Sequence, residues 1–243
     1  MPTATSHPCT AAAVSAALAA VASPSKAASA ARFFKTGPGQ YGEGDVFIGV
    51  TVPAQRKIAR AFEMLPHKDL VTLLKSKIHE QRLTALLVLV RQFERGDEAT
   101  QDACYALLMK HRRFVNNWDL VDSSAHQIVG ALLLSRETSR DVLYELARSS
   151  ALWDRRIAMI STYAFIRKGE SKDAFAIAAL LLQDPHDLMH KAVGWMLREV
   201  GKRVSADALR AFLKKHAAQM PRTALRYAIE HFPAAERKRW LAR

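Results

Sequence analysis

The sequence predicts an all-α chain built from stacked helix pairs, and three features predict it. Apolar residues recur at helical spacing along most of the chain, with no convincing alternating strand. No proline falls between Pro66 and Pro185, which leaves a long stretch without a helix breaker. Ala85, Ala125, Ala158, Ala192 and Ala224 stand in similar contexts, separated by 40, 33, 34 and 32 residues. Helix pairs recurring at such intervals indicate a solenoid of HEAT type, an alpha-alpha superhelix in which each unit covers the apolar face of its neighbour. An irregular helical bundle is the alternative. Three stretches close alike, in RQFERG at Gly96, AFIRKG at Gly169 and MLREVG at Gly201. Each reads as a helix C-terminus, with cations in the last turn and a glycine able to take the left-handed cap.

In chain order, residues 1–31 come first: an alanine-rich leader whose only formally charged side chain is Lys26. It has the small residues of a signal peptide but no basic stretch ahead of its apolar part. A transit peptide or a first helix also fits. Val14, Leu18 and Val21 favour a partly ordered helix behind a frayed tail. A single repeat domain is expected over residues 32–243. It opens with KTGPGQYGEGDVFIGVTVP, where Gly37, Gly39, Gly42, Gly44 and Gly49 supply five of the ten glycines. That density argues for a long loop. It does not match a phosphate cradle, because no GxGxxG follows a strand and no Gly-Lys-Ser/Thr closes it.

Composition narrows the function class. At 49% apolar residues the chain is too hydrophobic for a disordered protein, yet no apolar run approaches the roughly 18 residues of a membrane span. Cys9 and Cys104 make no disulfide framework, so a reduced, cytoplasmic compartment is expected. Lys and Arg number 36 against 23 Asp and Glu, a formal charge of +13, and nearly all the excess lies beyond the leader. Such an excess on a folded body suits a polyanionic partner: nucleic acid first, an anionic membrane second.

Three constellations are candidates for chemistry. In residues 184–203, Leu188, Ala192, Val193, Met196, Leu197 and Val200 make one apolar stripe of a helix, while Lys191, Trp195, Arg198 and Lys202 make another. A tryptophan among cations forgoes about 1.5–3 kcal/mol of burial unless a neighbouring repeat or a nucleic acid covers it. HDLMH in the same stretch has the spacing of a zinc-protease motif. It carries Asp187 where the general-base glutamate belongs, so no metal site is expected. In residues 116–134, Asn116 or Asn117 can cap a helix and Asp119 suits its first turn in a local capping role. Trp118 and Asp122, four apart, share a face at the edge of the stripe made by Val121, Ala125, Ile128 and Leu132. In ALWDRRIA, Arg155 and Arg156 follow Trp153; periodicity does not choose between them, and one can pair with Asp154.

Read together, the YGEGDVFIGVTVPAQRK entry loop, the NWDLVD turn, the LWDRRIA start, the KAVGWMLREVGK helix and the closing MPRTALRYAIEHF resemble the DNA alkylation repair family of HEAT-like, AlkD-type alkylpurine DNA glycosylases over about residues 30–241. The resemblance implies a concave basic face that wraps duplex DNA. It further implies excision of cationic alkylpurines, mainly N3-alkyladenine and N7-alkylguanine, by a monofunctional, monomeric hydrolase without base flipping, cofactor or membrane. Carried over by position, the family's aspartate falls on Asp122, its cleft tryptophans on Trp118 and Trp195, and the arginine of its Trp-x-x-Arg pattern on Arg156. Lys191, Arg198 and Lys202 are phosphate-contact candidates from the helical stripe. Thr51 and Lys57 are added by the resemblance. Two departures stand out: the glycine-rich loop is longer, and Phe33 occupies a place where some relatives have a tyrosine near DNA. The alternative is a HEAT-repeat scaffold that binds DNA or protein without chemistry.

The chemistry of the residues agrees. An alkylpurine is already cationic, so the leaving group needs no proton. A single carboxylate can then face the developing positive charge of the sugar and accept from a water.

Overall fold

A computed structural model describes residues 9–136 and 138–242, and α-helices fill most of them. The frayed tail expected at the start of the leader falls outside the described residues. The single β-type pairing among the described residues is an isolated parallel bridge between Val46 and Ile78. The chain divides between Ser124 and Ala125 into two units.

The first unit holds α1 (Ala11–Ala19), α2 (Pro24–Phe33), α3 (Val52–Ala61), α4 (His67–Leu74), α5 (His79–Arg95), α6 (Glu98–His111) and the short α7 (Trp118–Asp122). The leader is structural: α1 buries Val14 and Leu18 against α3, α4 and α5, and the Ala11 N–H donates to Asp69 Oδ1 of α4 at 2.8 Å. Val21 does not continue that helix. It lies beyond the last turn and is 50% exposed, because the chain turns before Pro24 opens α2. α2 in turn runs across position 31, so the leader's expected end is no break in structure.

Residues 34–51 form the expected loop, with left-handed backbone at Gly39, Gly44 and Gly49. What holds it is Glu80, near the start of α5. Its buried carboxylate accepts from the N–H groups of Ile48 (3.1 Å), Gly49 (2.8 Å) and Val50 (3.3 Å), a cradle of backbone dipoles around one anion.

The second unit opens with a π-helical turn (His126–Gly130), followed by α8 (Ala131–Ser135), α9 (Asp141–Ala147), α10 (Leu152–Ile166), α11 (Lys172–Leu180), α12 (Asp187–Arg203), α13 (Ala206–His216), α14 (Arg222–Ala228) and α15 (Ala234–Leu241). The repeat is visible in its cross-links. Arg140 reaches Asp173, 33 residues on; Arg156 reaches the Leu188 carbonyl and Arg198 reaches Glu230, each 32 residues on. All five alanines that marked the repeat in the sequence are buried. Small residues recur where helices meet because they let backbones approach: a Cβ on Gly194 of α12 would stand 2.5 Å from the Ala224 carbonyl oxygen of α14.

The three glycine stops divide. Gly169 behaves as expected, with φ +86° just past α10. Gly96 caps α5 with extended backbone, φ −79° and ψ 159°. Gly201 caps nothing, since α12 runs on to Arg203 and the glycine packs against Leu209.

Candidate functional site

In the first unit the candidate pair sits on α7. Asn117, not Asn116, caps it: its buried side chain accepts from the Trp118 N–H at 2.8 Å. Val121 and Leu120 are buried beneath, and Trp118 and Asp122 are both half-buried. The helix stops at Ser123, so the stripe from Val121 to Leu132 is not one regular helix; all four of its members are nonetheless buried. The Trp118 ring stacks on Phe34 (centroids 5.2 Å, planes 15° apart) and meets the edge of Phe33 at 5.9 Å. Phe33 is 65% exposed.

Behind the tryptophan lies a polar network that the sequence did not advertise. His79, 2% exposed at the start of α5, sits between two carboxylates: Nδ1 is 3.0 Å from Asp45 Oδ2 and Nε2 is 2.8 Å from Asp119 Oδ2. Asp45 also accepts from Arg82 (2.6 Å) and from Asn117 Nδ2 (3.1 Å). Asp119 therefore does more than the local capping expected of it; one oxygen accepts from the Leu120 N–H at 3.0 Å while the other holds His79. Burial pushes the His79 pKa down, but hydrogen bonding to Asp119 and Asp45 outweighs it and leaves the pKa above the usual imidazole value. Burial would raise Asp45, yet the His79 hydrogen bond and the Arg82 charge hold it below the carboxylate range. Beside this network is a cavity of about 230 Å³, walled by Phe34, Phe47, His79 and Asp119. The only clue in the sequence was the HEQR run at the head of α5, and nothing in it names the distant Asp45 or Asp119.

Thr51 is the exposed N-cap of α3, and Lys57 is exposed on that helix between Arg56 and Arg60. Among the described residues no carboxylate pairs with Lys57.

In the second unit Trp195 is half-buried on α12, its ring 6.2 Å from Tyr163 of α10. Tyr163 in turn meets His126 edge-on at 5.1 Å, and the Arg203 guanidinium lies 5.4 Å over the Tyr163 ring. Three successive helical layers thus contribute one ring each. Burial, aided by the Arg167 charge, pushes the His126 pKa down to about 4, so this imidazole is neutral.

The structure separates the two arginines. Arg155 is tied to Asp184 (2.5 Å) and to the carbonyls of Ser149 and Ser150. Arg156, 4% exposed, donates to the Leu188 carbonyl at 2.6 Å and so fastens α10 to the first turn of α12. Of the stripe cations, Lys191 pairs with Asp187 at 2.8 Å and Arg198 sits between Glu230 and Glu199. Lys202 is exposed, and among the described residues no carboxylate pairs with it. Both histidines of HDLMH are used locally: His186 accepts from the Leu188 N–H at 3.1 Å, and His190 reaches the Asp184 carbonyl at 2.5 Å. Cys104 is buried, which pushes its thiol up to about 11. Among the described residues no single helix is long and apolar enough to cross a membrane.

Comparison with known proteins returns one family. The profile described as DNA alkylation repair enzyme matches residues 14–232. Among solved structures, the chain is similar to one titled a predicted DNA alkylation repair enzyme from Enterococcus faecalis, with TM-score 0.66 and 16% identity over 88% of this chain and 97% of that one. No curated protein matches. At that identity the structural likeness speaks for the helical-repeat fold, and the profile match speaks for the family. On the extent of that match, nearly the whole described chain, the protein belongs to the DNA alkylation repair enzyme family.

Proposed function

We propose that this protein is a monofunctional DNA glycosylase that hydrolyses the N-glycosidic bond of cationic alkylpurines, N3-alkyladenine and N7-alkylguanine, in duplex DNA. The observation that carries the reading is Asp122, a half-buried carboxylate one helical turn from an indole that is itself fixed by rings and a buried ion network. Asp122 faces the sugar as it turns positive and orients the attacking water. Two opposite charges about 4 Å apart at an effective dielectric near 20 interact by about 4 kcal/mol. That is worth roughly three orders of magnitude in rate, ample for a bond already weakened by the cationic base. Trp118 and Trp195 supply aromatic faces that favour a cation by about 0.5–2 kcal/mol each. Arg156 orders the first turn of the Trp195 helix. The lesion brings its own charge, so the reaction calls for no cofactor or metal, and the enzyme acts as a cytoplasmic monomer.

Lys202, Lys57 and Thr51 are exposed and ready to meet phosphates. Lys191 and Arg198 must first exchange a carboxylate for one. The test is release of methylated base from duplex DNA followed by alkaline cleavage of abasic sites. Asp122→Asn is expected to lower release by about a thousandfold while duplex affinity stays nearly unchanged, because phosphate contacts dominate binding. Full-rate release by that variant overturns the mechanism. Duplex binding without release by the unaltered protein leaves the non-catalytic scaffold.

A further inference from the structure

We propose that His79 is a positioning residue for Trp118: an imidazolium clamped between Asp45 and Asp119 that fixes the turn carrying Trp118 and Asp122. The functional half of this inference rests on the reading of Trp118 and Asp122 given above; the structural half does not.

The geometry ties three separate pieces of chain together. Asp45 comes from the glycine-rich loop, His79 from α5, and Asp119 from α7, directly after Trp118. An ionised carboxylate only accepts hydrogen bonds, so a ring held by two of them must donate from both nitrogens. A neutral imidazole has one N–H and can keep only one of the two links. Loss of the ring proton therefore severs either the loop or α7 from the clamp.

A second path from His79 to the tryptophan runs through rings. His79 stacks on Phe47 (4.6 Å) and lies against Phe34 (4.9 Å), and Phe34 stacks on Trp118. Asn117 closes the circuit, since one end of its amide caps Trp118 and the other donates to Asp45. Every link from His79 to α7 ends within two residues of Trp118.

Charged groups face His79 from each packed element: Asp45 from the loop, Arg82 and Glu80 from α5, Asp119 from α7, and Lys26 from α2 across the cavity. Arg82 opposes the ring charge, while the two carboxylates hydrogen-bonded to the ring favour it and prevail. The cavity of about 230 Å³ that touches both His79 and Asp119 gives water a route to the ring, so the clamp can titrate without unfolding. The ring beside Trp195 is Tyr163, with the Arg203 guanidinium over it and a neutral histidine beyond it.

The experiment uses the full chain labelled with fluorotryptophan, the Trp118 resonance being assigned by its loss in Trp118→Phe. In the unaltered protein this resonance is expected to move in one transition as pH rises through a value above 6.5, and the transition is expected to vanish in His79→Gln. Single-turnover base release by His79→Gln is expected to fall about tenfold with duplex affinity changed less than about twofold. A Trp118 resonance indifferent both to pH in that range and to the substitution overturns the positioning role, whatever the rates. If His79→Gln does not fold, the titration of the unaltered protein decides alone. A responsive resonance in a protein that releases no base keeps the clamp and rejects the glycosylase reading; base release with an indifferent resonance does the reverse.

Discussion

Each unit holds one candidate tryptophan and one histidine linked to it through an intervening ring, and the two histidines are driven in opposite directions. His79 holds its proton more tightly than a free imidazole because two carboxylates accept from it and outweigh burial. His126 loses its proton because burial, aided by the Arg167 charge, disfavours the imidazolium. Burial disfavours the charged form in both, so desolvation alone does not set the outcome. The partners do. The first unit has built an ion-paired, cross-linked seat for Trp118; the second has built an aromatic one for Trp195 from Tyr163 and a neutral His126.

The largest effect that can break this contrast comes from removing the charge that both Arg82 and His79 rely on. Asp45→Ala is expected to destabilise the protein by about 3–5 kcal/mol in urea unfolding, because it removes the carboxylate paired with the buried Arg82 and leaves His79 with Asp119 alone. Asp45→Asn should cost less. A change under about 1 kcal/mol for the alanine variant would mean that the network is solvated rather than buried.

The histidines also predict opposite pH responses. His79, with its folded pKa raised, gives its full stabilisation below the unfolded value near 6.5 and loses it as pH climbs through the folded value. His126, with its folded pKa at about 4, gives its full stabilisation above 6.5 and loses it as pH falls toward 4. That acid-side loss amounts to at most about 3–4 kcal/mol, from roughly 1.4 kcal/mol per pH unit. His126→Phe is expected to remove it, read as a flatter dependence of unfolding free energy on pH between 6.5 and 4; an unchanged slope would assign the loss to carboxylates.

The smallest effect concerns the cations outside both seats. Lys202→Ala and Lys57→Ala are each expected to weaken duplex binding across all sequences and to lower the salt slope by about 1. Lys191→Ala should change the slope less, since Asp187 already offsets that charge. Equal slopes for all three would show that the Lys191 pair opens on binding.

Much of the fold was legible because helical spacing is a local property. Buried positions Ala125, Ile128 and Leu132 could be read from their period alone, as could the repeat of small residues at Ala158, Ala192 and Ala224. The candidate pair Trp118 and Asp122 was legible for the same reason, being one turn apart on one helix. Val21 and Gly201 were misread, since the sequence marks a turn or a stop without saying whether a neighbour overrides it. Helix α12 continues through Gly201 because Leu209 packs over it, and that contact belongs to the next helix.

What the sequence by itself determined is an all-helical repeat chain with excess positive charge and a carboxylate set beside an indole, since composition and period need no third dimension. The raised pKa of His79, the double duty of Asp119 and the different fates of Arg155 and Arg156 were decided only by tertiary structure. Each depends on a partner roughly 30–40 residues away arriving within hydrogen-bond distance of a buried group. At that range in a low-dielectric interior the partner outweighs every local preference.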